Sequence, residues 1–455
     1  MFEAFGQRKR YTIPAVAAVG VLSVALAGTL SLGDNLVTLG LFFVFITVLI
    51  GVAFYTNRKL TLAIYLLTIV NLDYLRLLSE PFNLTVDILF SIVIMLLTVP
   101  LFLGRKISWR KSPIQKAFIF YLLITLLCVV LSVEPLISLK RWLRYVNYFV
   151  LFTLIVDVAR DRATIQKFTR VIIYASIIPC VVGFYGLIAR TPGLIGENLR
   201  FIYSIDMVRI KSTLSHANTF GLFLSLSIPT TIGLLLQRKG WGLAVKNHQL
   251  IMVLFLTLPM LYFTYSRIGW IITCMIIIMI LLLQKRWSLL TIIPWLFGLI
   301  IWRIPGLLTR WSDIIDPSRP DSLEWRRGLY AFSLNKFLQK PLLGAGPGTF
   351  LEYVAFGKGY AQHHLWIGSL VEVGILGTAA LFILLMVVLA QLIRYFRRKP
   401  TTLNTIVLSI FFVLIVISLV SDPFSVPSVV LYLWALIGLA EAEFQIQLHK
   451  EQQPV

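Results

Sequence analysis

Residues 267–284 read RIGWIITCMIIIMILLLQ and carry their single charge, Arg267, at the first position. A helix of roughly 20 apolar residues spans the ~30 Å hydrocarbon core of a bilayer. Because this stretch leaves almost no polar surface to face water, it predicts a membrane-spanning helix. Similar apolar runs recur from Ile13 to Phe444, so the argument extends over most of the chain.

The composition of the whole chain agrees with this interpretation. Of its 455 residues, 58% are hydrophobic and only 13% are charged, and the mean hydropathy is +0.87. Such a chain has too little polar surface to cover a soluble globule of its size. The short alternating segments of a β-barrel do not occur. We therefore predict an all-α fold, a polytopic membrane helical bundle of about 14 transmembrane helices.

One long hydrophilic segment divides the predicted spans into two blocks. Helices 1–11 fall in residues 1–303, the hydrophilic segment is 304–362, and helices 12–14 with a C-terminal tail fall in 363–455. The first span follows Arg8, Lys9 and Arg10 without a convincing cleavage site, so we interpret it as a retained helix. The predicted spans are 13–31, 36–55, 60–78, 84–103, 116–133, 143–158, 168–189, 216–236, 249–264, 267–284, 288–303, 364–392, 403–420 and 428–444.

Lysine and arginine set the orientation, because basic residues in short loops resist translocation across a membrane. With both termini in the cytoplasm, 24 of the 41 basic residues fall in cytoplasmic segments and 17 fall outside. Eight of the external residues lie between Arg303 and Lys358, and four more lie between Arg190 and Lys211. Long loops cross regardless of charge, which is one explanation of this excess. An external anionic ligand is the other.

The charge and the cysteines exclude other classes. A formal charge of +21 does not indicate nucleic-acid binding here, because no basic run is longer than a few residues and the basic residues stand at span ends. Cys128, Cys180 and Cys274 lie inside apolar runs without metal-ligand spacing. We expect them to be small core residues, with neither a metal nor a disulfide role.

The long external segment carries helix signals of its own. Asp321 stands at an N-cap position and Glu324 follows in the first turn. Apolar residues then recur at helical spacing until Pro341 stops the pattern. We expect an amphipathic helical cap that lies over the membrane-embedded bundle. The apolar positions are Leu323, Tyr330, Leu334, Phe337 and Leu338.

A glycine-rich stretch, LLGAGPGTF at residues 342–350, follows Pro341. It superficially resembles a phosphate-binding loop, but no buried parallel strand precedes it and no Lys-Ser/Thr pair ends it. It also lies on the side of the membrane where ATP is absent. A tight turn that closes the cap is the favoured interpretation, and backbone amides that contact a phosphate are the alternative.

Two arginines stand at the edges of predicted spans. Arg209 lies in a polar loop that runs directly into the span at 216–236, and Arg267 lies at a two-helix junction with no room for a loop. An isolated arginine at membrane depth is costly, so each must be paired or solvated at the interface. Snorkelling to lipid headgroups is the alternative to a functional role.

Two of the five histidines, His363 and His364, stand together at the external end of a span. A metal pair is disfavoured, because adjacent helical residues point about 100° apart and no acidic or cysteine partner stands at ligand spacing. A neutral imidazole can accept a proton from a sugar hydroxyl, so a general base is one interpretation. A hydrogen-bonded histidine at the membrane interface is the other.

Together these elements resemble the O-antigen ligase and polymerase superfamily of membrane glycosyltransferases. The resemblance covers roughly residues 200–380, with the elements in order. It comprises an arginine motif, a Ser-Arg-Gly-like junction, a proline with Gly-x-Gly, and a histidine followed nine residues later by glutamate and then by spaced glycines. The matching residues are Arg209, Ser212, Asn218, Ser266, Arg267, Gly269, Pro341, Gly344, Gly346, His363, Glu372, Gly374 and Gly377.

Two positions depart from the family pattern. Ser212 stands where glycine is common, and His364 stands where asparagine is usual. The second departure leaves open which histidine acts. The spacing from Glu372 favours His363.

The resemblance implies a GT-C-like enzyme of the bacterial inner membrane that transfers a glycan from undecaprenyl diphosphate to an acceptor hydroxyl outside the cytoplasm. It implies no nucleotide, cofactor or essential metal. Arg209 and Arg267 would neutralise the diphosphate leaving group, for which guanidinium is suited, and His363 would orient or deprotonate the acceptor. Further residues expected to contact substrate are Lys211, Asn218, Ser266, His364, Arg319, Arg326 and Glu372.

Several functions share this core. An O-antigen ligase that transfers the glycan to lipid A-core is favoured, and the alternatives are a polymerase with a second lipid-linked glycan as acceptor or a protein-directed glycan transferase. A flippase or transporter of lipid-linked sugars is the alternative from another class. Against it, the charged residues cluster on one face, no inverted repeat is evident, and few ionisable residues fall near mid-membrane.

The orientation can be tested by cysteine labelling at Ser318, within the predicted external segment. A membrane-impermeant reagent should label this cysteine in cells whose inner membrane is intact. A cysteine at Ser108, in a predicted cytoplasmic segment, is the control and should label only after permeabilisation. Labelling at position 318 only after the inner membrane is permeabilised would contradict the orientation.

Overall fold

The described part of the chain is mostly helical, with two short strand pairs. The structure, a computed structural model, describes residues 50–71, 76–78, 84–85, 95, 98, 112–189, 201–202, 205–214, 216–237, 246–291, 323–350 and 364–452. Residues 50–56 are helical and precede the first helix numbered here. The helices before residue 200 are α1 (Arg58–Asn71), α2 (Pro113–Val130), α3 (Pro135–Val158), α4 (Arg162–Tyr174) and α5 (Ile177–Ala189).

The second half contains the helices that carry most of the motif residues. They are α6 (Ala217–Leu235), α7 (Asn247–Phe263), α8 (Arg267–Leu283), α9 (Trp287–Leu290), α10 (Leu323–Gln339), α11 (Leu365–Arg398), α12 (Thr402–Ile417) and α13 (Pro427–Gln452). The predicted spans at 216–236, 249–264, 267–284 and 428–444 coincide with α6, α7, α8 and the start of α13 within a few residues. Apolar length therefore located these helices well.

Five described segments are long and apolar enough to cross a membrane. Helices α7, α8 and α12 are also apolar but shorter. The prediction of an all-helical membrane protein is confirmed at this level. The predicted spans 13–31 and 288–303 lie wholly or largely outside the described residues, so the count of about 14 helices stays a prediction. The five segments are Pro113–Val130, Arg162–Ala189, Ala217–Leu235, Leu365–Arg398 and Pro427–His449.

Two strand pairs were not predicted. β1 (Arg76–Leu78) pairs antiparallel with β2 (Leu84–Thr85), and β3 (Phe201–Ile202) pairs antiparallel with β4 (Ile205–Val208). The first pair occupies positions assigned to the ends of the spans 60–78 and 84–103, so those span ends are wrong. Pro81 stands between the two strands in the sequence, and proline is common in turns.

Helix α3 begins earlier than predicted. The span was placed at 143–158, whereas α3 starts at Pro135, which occupies the first helical turn where its missing N–H costs nothing. Lys140 and Arg141 therefore lie on a helix and not in the loop before the predicted span. This correction matters for the site, because it fixes the position of Arg141.

The last helix, α13, lies at the centre of the bundle. It packs against α1, α3, α4, α6 and α12, and almost all of its apolar part is buried. The Trp434 ring lies 4.6 Å from the Phe118 ring and 5.8 Å from the Phe152 ring, measured between centroids. A helix that is apolar on all sides is stable only when neighbours surround it, which explains this position.

Packing contacts show which helix ends meet. Gly233 near the end of α6 lies against Ile406 near the start of α12 and against Ile280 near the end of α8. The N-terminal ends of α6 and α8 therefore share one end of the bundle with the C-terminal end of α12. The start of α11 lies there too, because the Leu365 N–H donates to the Ser421 carbonyl. We call this the site end.

Ion pairs mark the opposite end of the bundle. The Lys59 ammonium lies 2.9 Å from an Asp161 carboxylate oxygen. The guanidinium of Arg160 lies 2.5 Å from the buried carboxylate of Asp157, at the end of α3. These residues belong to segments predicted to be cytoplasmic, and the orientation itself remains a prediction.

The hydrophilic segment 304–362 contains the predicted helix, but the buried face of that helix is not the face predicted from its apolar residues. Helix α10 ends before Pro341, as expected, while Asp321 lies outside the described residues. Leu329 and Ser333 are buried, and Leu334 and Leu338 are 52% and 63% exposed. The buried face therefore follows Leu329, which packs with Phe350 and Val371. Whether α10 belongs to a cap over the whole bundle remains a prediction.

The glycine-rich loop fills a break in the long helix α11. Gly374 has φ 64° and ψ −167°, so the helix is interrupted there. The amides of Ala345 and Gly346 donate to the carbonyls of Val371 and Glu372 at 2.9 and 2.7 Å. On the other side of the break, the amides of Ile375 and Leu376 donate to the carbonyls of Pro341 and Leu342 at 2.8 and 3.1 Å. The loop thus supplies the partners that the interrupted helix lacks.

This arrangement excludes the phosphate-loop interpretation for the two central amides. The N–H groups of Ala345 and Gly346 are used by helix carbonyls, so they cannot contact a phosphate. The stretch does form a tight turn, as the favoured interpretation has it, but the turn pairs with the backbone of α11. The turn closes onto a membrane helix.

Two glycines allow the two backbones to cross. A Cβ on Gly344 would lie 2.5 Å from the Glu372 carbonyl carbon, and a Cβ on Gly374 would lie 2.4 Å from the Leu342 carbonyl carbon. Both residues also have positive φ, 69° and 64°. Glycine is required at both positions for space and for conformation.

Replacing Gly344 or Gly374 with alanine should therefore destabilise the fold. We expect a loss of more than about 2 kcal/mol, because the left-handed conformation costs ~1–2 kcal/mol for other residues and the Cβ overlaps backbone. Thermal unfolding in detergent measures the effect. Gly328→Ala is the matched control, since no atom lies within 4 Å of its Cβ position on α10. Equal melting temperatures for all three variants would contradict the proposed role of the crossing.

Candidate active site

Arg209 is anchored at the corner between α7 and α8. Its Nε donates to the Thr264 carbonyl at 3.1 Å, and its Nη2 donates to Asn218 Oδ1 at 2.6 Å. The next residue, Ile210, donates its N–H to the Phe263 carbonyl at 3.0 Å. The Arg209 side chain therefore contacts Thr264, which stands three positions before Arg267 in the chain. It also contacts Asn218, a residue of the same sequence motif.

Arg267 is the first residue of α8, and Ser266 is its N-cap. Ser266 Oγ accepts the N–H of Gly269 at 3.3 Å. A Cβ on Gly269 would lie 3.0 Å from the Gly221 carbonyl carbon, so the first turns of α8 and α6 are in backbone contact. This explains the Ser-Arg-Gly spacing. Ser266 caps the helix, Arg267 is its first residue, and Gly269 allows the backbone of α6 to approach closely.

The departure at Ser212 has a local explanation. Ser212 has φ 58°, a left-handed conformation that glycine adopts without strain. Its Oγ donates to the Pro179 carbonyl in α5, which ties the loop to a neighbouring helix. The position therefore has the backbone that suits the family's glycine, and serine adds a hydrogen bond. Lys211 beside it is buried.

His364 is the N-cap of α11. Its Nδ1 accepts the Ile367 N–H at 3.5 Å, and the Tyr330 ring lies edge-on to the imidazole at 5.6 Å between centroids. Burial lowers the pKa of His364 below its usual value, and the backbone of Leu419 opposes this shift. The Nδ1 atom of His364 is thus used by the helix cap. This supports a structural role for His364 and favours His363 as the base.

Three predicted residues cannot be placed. His363, Arg319 and the side chain of Arg326 lie outside the described residues. Their roles remain predictions from the sequence.

Glu372 lies in a second group of polar residues at the site end. The side chains of Arg141, Glu372 and Asp422 line one cavity of about 80 Å³, together with Ser369 and several aromatic rings. Glu372 Oε1 accepts the Phe350 N–H at 3.3 Å, and the charge of Arg141 interacts with both carboxylates. The aromatic rings include Tyr121, Tyr145, Tyr148 and Trp434.

Sequence reasoning missed Arg141, Tyr145 and Asp422. Arg141 was counted among external loop cations because its helix was placed too late in the chain. Asp422 stands alone between two apolar spans, and nothing in its spacing marks it. The one available signal was an arginine and an aspartate bordering apolar sequence, where unpaired charges are expensive.

The two groups differ in charge. The corner with Arg209, Lys211 and Arg267 is cationic and lies beside the N-terminal ends of two helices, where backbone dipoles favour anions. The cavity with Arg141, Glu372 and Asp422 contains both signs. The first group is suited to an anionic ligand and the second to a ligand with hydroxyl donors.

Comparison with known proteins agrees with this geometry. Residues 252–382 match the family model described as O-antigen ligase. The matched range contains the end of α7, the Ser266–Gly269 junction, the glycine-rich loop and the first half of α11. A search of curated proteins finds no match. This match supports the resemblance inferred from the motifs: residues 252–382 are similar to the O-antigen ligase family, whereas Arg209, Ser212 and Asn218 lie before the matched range.

Proposed function

We propose that this protein transfers a glycan from undecaprenyl diphosphate to an acceptor hydroxyl on the external face of the bacterial inner membrane. One observation carries the proposal: Arg209 is hydrogen-bonded to the Thr264 carbonyl, next to the mouth of α8 where Arg267 stands. Two guanidinium-bearing segments that are 58 positions apart in the chain are joined at one corner of a membrane bundle. Such a corner suits a diphosphate.

The chemistry requires positive charge where the leaving group forms. When the glycosyl bond breaks, the diphosphate gains negative charge, and fixed cations in a site of low dielectric stabilise that charge. Guanidinium binds phosphate oxygens through two parallel N–H donors. In this proposal Arg209 and Arg267 hold the diphosphate, Lys211, Asn218 and Ser266 support them, and the glycosyl diphosphate bond itself supplies the energy.

A base is needed on the acceptor side. His363 precedes the N-cap of α11, and His364 already caps that helix through its Nδ1 atom. We therefore assign the proton transfer from the acceptor hydroxyl to His363. Arg319 and Arg326 in the external segment are proposed to contact the glycan or the diphosphate. In the proposed domain scheme, residues 1–303 and 363–455 form the membrane bundle and 304–362 the external segment.

A ligase whose acceptor is lipid A-core remains the favoured assignment. The alternative is a polymerase whose acceptor is a second lipid-linked glycan. A flippase is the candidate from another class. Purified protein in detergent, supplied with lipid-linked glycan and acceptor, distinguishes an enzyme from a flippase, because only an enzyme makes a new glycosidic bond. Absence of any product from protein that binds the donor would contradict the proposed function.

Activity should not depend on a divalent metal, because guanidinium groups supply the positive charge at the diphosphate. We expect the initial rate of transfer to be unchanged in excess EDTA. The measurement is product formation with purified protein before and after chelation. Complete loss of activity that one added divalent ion restores would contradict the arginine assignment.

Substitutions should separate donor binding from transfer. Arg267→Lys keeps a charge but loses the planar donor pair, so we expect transfer to fall on the order of 100-fold. Arg209→Ala should weaken donor binding itself. His363→Ala should keep donor binding and abolish transfer, whereas His364→Ala should cost mainly the helix cap, about 1 kcal/mol of stability.

Donor binding and product formation are measured for all four variants at equal expression. Arg397→Lys, exposed at the opposite end of α11, is the control and should behave like the unmodified protein. An inactive His364→Ala beside a near-normal His363→Ala would reverse the assignment of the base.

A further inference from the structure

The cavity at the break of α11 is built from three separate parts of the chain. Arg141 comes from α3, Glu372 from α11 just before the break, and Asp422 from the segment after α12. The two carboxylate residues are only 5% and 7% exposed. Buried ionisable groups in a membrane bundle are costly, so their presence at one cavity indicates a use.

The glycine-rich loop holds this cavity in shape. Phe350 at its end donates its N–H to Glu372 Oε1, which fixes one carboxylate oxygen. Gly348 lies against the side chain of Arg141, where a Cβ would come within 3.0 Å of Arg141 Cβ. The same loop that completes the broken helix therefore also orients Glu372 and Arg141.

We propose that this cavity is a sugar subsite, which binds a hydroxylated sugar ring while the Arg209 and Arg267 corner binds the diphosphate. The inference rests on the proposed function and divides the substrate between two groups of residues. Charge supports the division. The cavity holds the carboxylates of Glu372 and Asp422 and the one guanidinium of Arg141, so a diphosphate would be repelled by the excess negative charge. Carboxylate oxygens instead accept hydrogen bonds from sugar hydroxyls.

The aromatic walls fit the same ligand. The Tyr121 and Tyr145 rings lie 5.4 Å apart between centroids, and the Tyr148 ring lies 6.3 Å from that of Tyr145. The negative face of an aromatic ring attracts the slightly positive C–H groups of a sugar ring. A sugar therefore finds hydrogen-bond acceptors and an aromatic surface in one place.

Binding measurements on the purified full-length protein test the proposal without requiring turnover. The probes are undecaprenyl diphosphate alone, undecaprenyl diphosphate bearing the glycan extracted from the native cells, and that glycan released from its carrier. The acceptor glycolipid from the same cells is the fourth. Glu372→Gln and Asp422→Asn retain the size and one acceptor oxygen of each side chain. Glu451→Gln, exposed at the opposite end of the bundle, is the control.

We expect both variants to bind the glycan-free carrier within about twofold of the unmodified protein and to bind a sugar-bearing probe about tenfold more weakly. If the glycan-bearing carrier and the released glycan are affected, the subsite holds the donor sugar. If only the acceptor glycolipid is affected, it holds the acceptor sugar. Either pattern supports the proposal.

Two outcomes overturn it. Unchanged binding of every probe would show that the cavity does not contact sugar, and an equal loss for the glycan-free carrier would show that the carboxylates act on the carrier or on the fold. Melting temperatures of both variants distinguish these last two causes. Failure of the proposed function looks different, because the unmodified protein would then bind donor and form no product.

Discussion

The rest of the site depends on one constraint: a helix inside a membrane must satisfy every backbone N–H and C=O within the protein. Helix α11 breaks at Gly374, and the Pro341–Gly348 loop supplies both the donors and the acceptors that the break leaves without partners. That solution requires glycine where the two backbones cross. It also brings Phe350, at the end of this loop, to within hydrogen-bonding distance of Glu372. The motif glycines and the motif glutamate are therefore parts of one structural element.

The arginine corner follows a similar logic with different residues. The loop before α6 is held at the end of α7 through Arg209 and Ile210, and only three residues separate the end of α7 from the start of α8. Close contact between Gly269 and Gly221 brings the starts of α6 and α8 together. Two helix dipoles and two guanidinium-bearing segments thus converge at the site end. Backbone packing places positive charge there before any ligand binds.

Much of this fold could be predicted from apolar length alone, because a membrane span needs a fixed number of apolar residues. That rule located α6, α7, α8 and α13. It failed where charge interrupts a helix: α3 starts at Pro135, but Lys140, Arg141 and Arg144 gave its first turns the composition of a loop. Within the site, the sequence grouped Arg209 and Asn218 in one motif, but only the structure shows that their side chains are hydrogen-bonded. The sequence could not predict Asp422 or Arg141, because their proximity to Glu372 arises only from packing.

The sequence alone does not decide which of His363 and His364 is the base, and side-chain contacts are needed as well. From the sequence, His363 and His364 stand equally at the mouth of a helix, and the choice rested on the distance to Glu372 along the chain. The structure adds an independent observation, since His364 Nδ1 accepts the Ile367 amide and caps α11. The cap in turn fixes where the chain enters the helix that carries Glu372. This supports the proposal that His363, and not His364, is the base, because a base needs a nitrogen that is free to accept a proton.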